Sequence, residues 1–277
     1  MNTNVICKIL SGNTKYLLLN KECHSKQYLF FYLFKDKQFL FKRACKYEYI
    51  DHIKLLLRDP KFNPSYDNNS AIQYACQRQL VKVVKLLLQD SRVDPSDLNN
   101  YAVRIASING HIEVVKFLLQ DPRIDPSDEN NNAIVYASIH GRIEIIKLLL
   151  QDPRVDPSDQ NNSAIIYASR NGRVEIVKLL LQDARVDPSV QSNETIQVAS
   201  RYGYIEVVKI LLQDPRVDPS DNNNNTIVCA IVNRHIEVVK LLIQDIRVDL
   251  ITAMRYAKQY NEEEILKILK EKLNNNI

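Results

Sequence analysis

Ala164-Ile-Ile-Tyr-Ala-Ser-Arg170 and Val174-Glu-Ile-Val-Lys-Leu-Leu-Leu181, joined by Asn171, Gly172 and Arg173, form the stretch that decides the fold. Apolar residues recur at helical spacing on both sides of Gly172, so the stretch reads as two short antiparallel helices with a tight turn between them. The segment that follows, Asp183-Ala-Arg-Val-Asp-Pro-Ser-Val-Gln-Ser-Asn193, carries Pro and Asn where turns use them. It has too little apolar content for another helix, and an extended loop or hairpin finger is expected there.

The same unit recurs along the chain. Pro-Ser pairs begin at Pro64, Pro95, Pro126, Pro157, Pro188 and Pro219, each 31 residues from the next, and Leu250 takes the seventh place. Ala44, Ala75, Ala106, Ala137, Ala168, Ala199 and Ala230 keep the same step, as do Ile50, Val81, Ile112, Ile143, Val174, Ile205 and Ile236. Neither helix of a unit is long enough to be stable alone, so stacking on neighbouring units must supply the missing burial. The expected fold class is therefore all-α: a solenoid of about eight stacked antiparallel helix pairs over residues 39–277, with short loop or hairpin fingers. The last helix is unusually polar (Glu262, Glu263, Glu264, Lys267, Lys270, Lys272), as a C-terminal cap should be.

Asn171-Gly-Arg-Val-Glu-Ile-Val-Lys-Leu-Leu-Leu181 and Asn109-Gly-His-Ile-Glu-Val-Val-Lys-Phe-Leu-Leu119 resemble the second half of the ankyrin repeat, a likeness that runs from residue 39 to about residue 271. Ankyrin units usually have 33 residues and open with Thr-Pro-Leu-His, where this chain has Ser163-Ala-Ile-Ile-Tyr-Ala-Ser169. The shortfall lies in the finger, which implies a shorter or tighter hairpin. Where the family places a glycine before the first helix, Asn68, Asn99, Asn130, Asn161, Ser192 and Asn223 stand here, and Asn tolerates a left-handed backbone. Asn-, Lys- and Ile-rich wording with near-identical units resembles the arrays of large DNA viruses and of protists.

Composition agrees with a packed soluble chain, at 45% hydrophobic and 25% charged residues. The net charge of +4 resides in residues 1–38, which carry six lysines against Glu22 and Asp36; the remainder is neutral. A neutral body lacks the basic stripe that several phosphates need, so no nucleic acid is expected as partner. The longest aromatic run, Tyr28-Leu-Phe-Phe-Tyr-Leu-Phe34, falls far short of the roughly 20 apolar residues of a membrane helix, and the start of the chain has no signal-peptide pattern. No membrane partner is expected. Cys7, Cys23, Cys45, Cys76 and Cys229 are an odd set without a Cys-x-x-Cys pair, which points to a reducing, cytoplasmic compartment, that of a host cell included.

A single active site does not need its parts copied six or seven times, so recurring residues are assigned to the fold. Asp94, Asp125, Asp156, Asp187 and Asp218 sit in separate fingers. Arg92, Arg123, Arg154, Arg185, Arg216 and Arg247, with the column Asp90 through Asp245, are expected to form a ladder along the fingers. The histidines are dispersed, and His111 and His235 fall where the resemblance places an interhelical His. No phosphate-cradling loop, His-Glu-x-x-His helix or nucleophile elbow occurs. The expectation is no catalytic residue, no cofactor, no metal and no enzyme.

The resemblance implies a non-enzymatic scaffold, a monomer that binds an unidentified partner protein through the concave face and finger tips. Carried onto this sequence, the binding positions are Tyr66, Leu98, Glu129, Gln160 and Val190 in the fingers, and Arg78, Asn109, His140, Asn171 and Tyr202 on the first helices. Leu98, Val190 and Tyr202 stand out as apolar or aromatic among polar neighbours, where interface anchors are expected. Residues 1–38 do not fit the repeat, and Tyr28 to Phe34 suit a cap over the first helix pair. As an alternative, Ile9-Leu-Ser with Tyr16-Leu-Leu-Leu-Asn-Lys-Glu-Cys-His24 faintly resembles the latter part of an F-box, which implies a ubiquitin-ligase substrate adaptor.

Overall fold

Helices of seven or eight residues are too short to persist unless something else buries their apolar face. In the computed structural model, which describes residues 36–275, that burial comes from neighbours on both sides. Eight helix pairs follow one another: α1 (Lys37–Lys46) and α2 (Ile50–Leu57), α3 (Tyr66–Gln77) and α4 (Val81–Leu88), α5 (Asp97–Asn109) and α6 (Ile112–Leu119), α7 (Asp128–Ile139) and α8 (Ile143–Leu150). Then come α9 (Asp159–Arg170) and α10 (Val174–Leu181), α11 (Val190–Arg201) and α12 (Ile205–Leu211), α13 (Asp221–Val232) and α14 (Ile236–Leu242), α15 (Leu250–Gln259) and α16 (Glu263–Asn275). Among the described residues there is no strand.

First helices pack on first helices, second helices on second helices, and each first helix on its own second one. Between the two layers α5 buries Ala102, Val103 and Ala106, and α10 buries Ile176, Val177 and Leu180. Burying one such aliphatic side chain contributes about 1.5–3 kcal/mol. The interior runs without a break from Leu40 and Phe41 in the first pair to Ile265 and Leu269 in the last. Glu175 in the first turn of α10 and Lys178 in its last turn match the helix dipole, a smaller aid.

The turn within each unit needs one left-handed residue. Gly203 takes it with φ 75°, and a Cβ there would come within 2.5 Å of Nδ1 of His235 in the next unit. The glycine therefore serves both the turn and the fit of the following unit.

Of the loop or hairpin expected, the fingers are loops, without a strand among the described residues. Asp94 Oδ1 accepts from the Ser96 backbone N–H at 2.9 Å and from Ser96 Oγ at 2.6 Å, which closes a turn around Pro95. Leu98, Asn99 and Asn100 then all adopt left-handed dihedrals (φ 55° each), and the Asn100 N–H donates to Ser96 O at 2.7 Å. This left-handed turn reverses the chain before two strands could pair. It recurs in every finger from Asp67–Asn69 to Asn222–Asn224, so the Asn68 column is left-handed as its chemistry suggested, within a turn three residues wide.

At the C-terminal end the seventh finger is cut short, and Asp249 instead caps α15 by accepting from the Ile251 and Thr252 N–H groups. In α16, Ile265 and Leu269 face the stack while Glu263, Glu264, Lys267 and Lys270 are exposed, as a terminal unit requires. Residues 1–35 of the leader, with the Tyr28–Phe34 cap and the F-box-like stretch, lie outside the described residues.

Candidate protein-binding face

Much of the polar surface is already spent on the stack. Arg123 holds Asp121 through Nε (2.8 Å) and Nη2 (2.6 Å) and donates onward to the carbonyls of Val93 (2.6 Å) and Leu88 (2.9 Å) in the preceding unit. Arg92, Arg154, Arg185, Arg216 and Arg247 repeat the clamp, reaching Phe62, Ile124, Val155, Val186 and Val217. The finger ladder is thus a bolt between units. Hydrogen bonds from its arginine hold the Asp121 carboxyl below the usual carboxylate range.

A second bolt went unread in the sequence. Asn69, Asn100, Asn131, Asn162 and Asn193 are buried, and each Oδ1 accepts the N–H of Asp94, Asp125, Asp156, Asp187 or Asp218 in the next unit at 2.7–2.8 Å. Four of the amides also donate to Asp97, Asp128, Asp159 and Asp221. The signal was a second Asn column at the same step, beside the one assigned to the glycine place. Its inward direction is fixed by the left-handed turn, which sequence spacing does not encode.

The histidine column is a third bolt, between units. His111 Nε2 lies 3.0 Å from Gln77 O and His235 Nε2 lies 2.9 Å from Arg201 O, while Arg142 and Arg173 reach the corresponding carbonyls of Ile108 and Ile139. Cys45 and Cys76 are buried; burial pushes the Cys45 thiol up to about 12 and that of Cys76 higher still, so neither is a thiolate at neutral pH. Among the described residues no three His, Cys, Asp or Glu side chains converge as metal ligands, and no helix is long and apolar enough to cross a membrane.

What the stack leaves is the side of the first helices turned away from the second ones. Arg78, Asn109, His140, Asn171 and Tyr202 fall in one row along the C-terminal ends of α3, α5, α7, α9 and α11. Tyr66, Leu98, Glu129, Gln160 and Val190 lie at the opposite, finger ends of the same helices. Tyr74, Ile105, Tyr136 and Tyr167 run half-buried between the two rows.

Within this frame the ten residues differ. Leu98 is 48% exposed and Tyr202 42%, the latter stacked on Tyr204 with Arg170 5.9 Å from its ring. Tyr66 is exposed beneath Lys42 Nζ at 5.6 Å, and Arg78 lies 5.8 Å from the Tyr74 ring. His140 is exposed. Asn109 and Asn171 are more committed than expected, since each amide donates to a carbonyl of its own helix, Ile105 O at 2.9 Å and Tyr167 O at 2.7 Å. Glu129 accepts from Asn99, and Gln160 donates to Asn130 O at 2.7 Å. Val190 is half-buried, at the place where other fingers have the aspartate that takes the Asn amide. On the second-helix side, a shallow groove of about 520 Å³ is edged by the Lys116–Glu113 and Lys147–Glu144 pairs.

The family model described as ankyrin repeats (3 copies) matches residues 40–130, 103–192 and 196–277. The crystal structure of EF0377, an ankyrin repeat protein, is similar to this chain with a TM-score of 0.55 and 25% identity, covering 62% of this chain and 96% of that one. Among curated proteins none matches the chain.

Proposed function

The chain belongs to the ankyrin repeat family, and from that membership we propose that it is a non-enzymatic scaffold, a monomer inside the cell, that holds a partner protein on its first-helix face and finger tips. Ankyrin repeats are generally protein-interaction modules. The observation that carries the reading is a division of labour: the finger-arginine, inward-asparagine and histidine columns are consumed by bolts between units, whereas the row Arg78, Asn109, His140, Asn171 and Tyr202 on one continuous face varies along the stack.

Leu98 sharpens the point. An exposed leucine held at φ 55° costs about 1 kcal/mol of backbone strain and returns little burial. Contact with a partner would supply the missing return.

The test is affinity capture with the full chain and with a Leu98→Asn/Tyr202→Ser variant, each eluate identified by mass spectrometry. The reading expects the variant to melt no lower than the parent yet to lose at least tenfold in recovery of the captured protein. Equal recovery by both, or turnover of a small molecule that depends on one side chain, would sink it.

A further inference from the structure

We propose that the segment docking on this face is an acidic peptide with an apolar middle, an inference that rests on the scaffold reading and adds the chemistry of the partner. Two runs of cations elsewhere in the array have carboxylates to hand. Each finger arginine holds an aspartate, and Lys116, Lys147, Lys178, Lys209 and Lys240 each hold a glutamate three residues earlier. On the first-helix face the arginines are open: among the described residues Arg78, Arg104, Arg170 and Arg201 have no carboxylate within 4.0 Å.

Their contacts are with rings and with neutral acceptors. Arg104 lies 5.9 Å from the Tyr101 ring and gives one bond to Leu98 O at 3.0 Å, while its Nε is buried without a partner. Arg201 reaches the sulfur of Cys229 at 3.7 Å. In residues 70–78, 101–109, 132–140, 163–171 and 194–202, which make the helical part of this face, Glu194 is the lone acid against these four arginines. Guanidinium forks left open in this way match carboxylates in geometry and charge.

Position adds a pattern. Arg78 caps α3 and Arg104 lies on α5, Arg170 and Arg201 lie on α9 and α11, and across α5, α7 and α9 the half-buried face is Ile105, Ile108, Tyr136, Ile139 and Tyr167. The order along the stack is cationic, apolar, cationic. Helices pack 8–10 Å apart, so α3 to α11 spans about 36 Å, the reach of an extended peptide of about 11 residues. Across the face the charge also divides, because the finger edge carries Asp97, Asp128 and Asp159 while Arg78, Arg170 and Arg201 line the helix C-termini. Acidic residues at both ends of a peptide, set along the C-terminal edge, satisfy that arrangement. A polyphosphate backbone does not, since its charges are evenly spaced and it would lie against the finger acids and over an apolar run.

The test pans a displayed library of random 12-residue peptides against the full chain, then measures fluorescent synthetic copies of the enriched sequences by anisotropy. The expected result is enrichment of Asp or Glu at both ends around Leu, Ile or Phe, weaker binding as salt rises, and at least a tenfold loss on Arg104→Glu/Arg170→Glu with the melting temperature unchanged. Neutral or basic winners, or winners that bind the double variant equally well, would overturn the inference. So would tighter binding of a 12-nucleotide single-stranded RNA probe. A chain that captures a protein but enriches no acidic peptide refutes this inference alone; one that captures nothing refutes the scaffold reading as well.

Discussion

At position 190 a valine faces the place where Asp97, Asp128, Asp159 and Asp221 accept an asparagine amide from the unit before. The bond that Asn69, Asn100, Asn131 and Asn193 make there has no counterpart at Asn162. A hydrogen bond to a charged acceptor in a part-buried site contributes about 1 kcal/mol or more. Val190→Asp is therefore expected to raise the melting temperature by about 2 °C in a thermal scan, the shift that ~1 kcal/mol produces in a chain of this size. No change, or a fall, would show that the amide is satisfied otherwise. The same position shows what the sequence kept back. Read along the chain, Val190 is an apolar residue in a polar finger and resembles an interface anchor; in the fold it is half-buried, a gap in a bolt. Asn109 and Asn171 differ in the opposite sense, because each amide is bonded to a carbonyl of its own helix, which spacing does not reveal.

The finger is the element in which charge and architecture are most tightly joined. Six aspartates (Asp90, Asp121, Asp152, Asp183, Asp214, Asp245) have carboxyls held below their ordinary range, first by side-chain hydrogen bonds from the paired arginines. A carboxyl with a lowered folded value contributes stability that is complete above the unfolded value, near 3.9, and disappears as pH falls through the folded one. Melting temperatures should thus be flat from about pH 7 to pH 5 and drop steeply below about pH 4. Asp121→Asn/Asp152→Asn/Asp183→Asn should melt lower at neutral pH and lose less on acidification. An acid drop as large as the parent's would mean that other carboxylates govern it. The helices on either side of the finger were legible from apolar spacing, since burial imposes period on sequence. Its path was not, because three left-handed residues in a row leave no period and use the same Asn and Asp as ordinary turns.

Over the whole molecule, one interior and three kinds of bolt repeat at a step of 31 residues. That step explains why fold and unit count could be read from recurring columns, and why the proposed binding face could be read only in outline. The face is what remains after the bolts are counted, and Arg104, Arg170 and Arg201 gain their meaning from lying together on it with Glu194 as the lone acid of its helical part. Repeat units that contact only their neighbours should tolerate removal of a whole unit, because the surfaces brought together are equivalent. The most direct measurement is urea denaturation, followed by circular dichroism, of two shortened chains. Removing residues 129–159 joins Asp128 to Gln160 and keeps every column in step, so that Asn100 keeps Asp125 and Asp128 while Asn162 keeps Asp187. Removing residues 129–142 takes out α7 and its turn and leaves α8 where a first helix belongs, so the two layers no longer meet in order. The first chain should unfold in a single cooperative transition at modestly lower stability, with the second largely unfolded before urea is added; equal damage in both would contradict units packed in file around one interior.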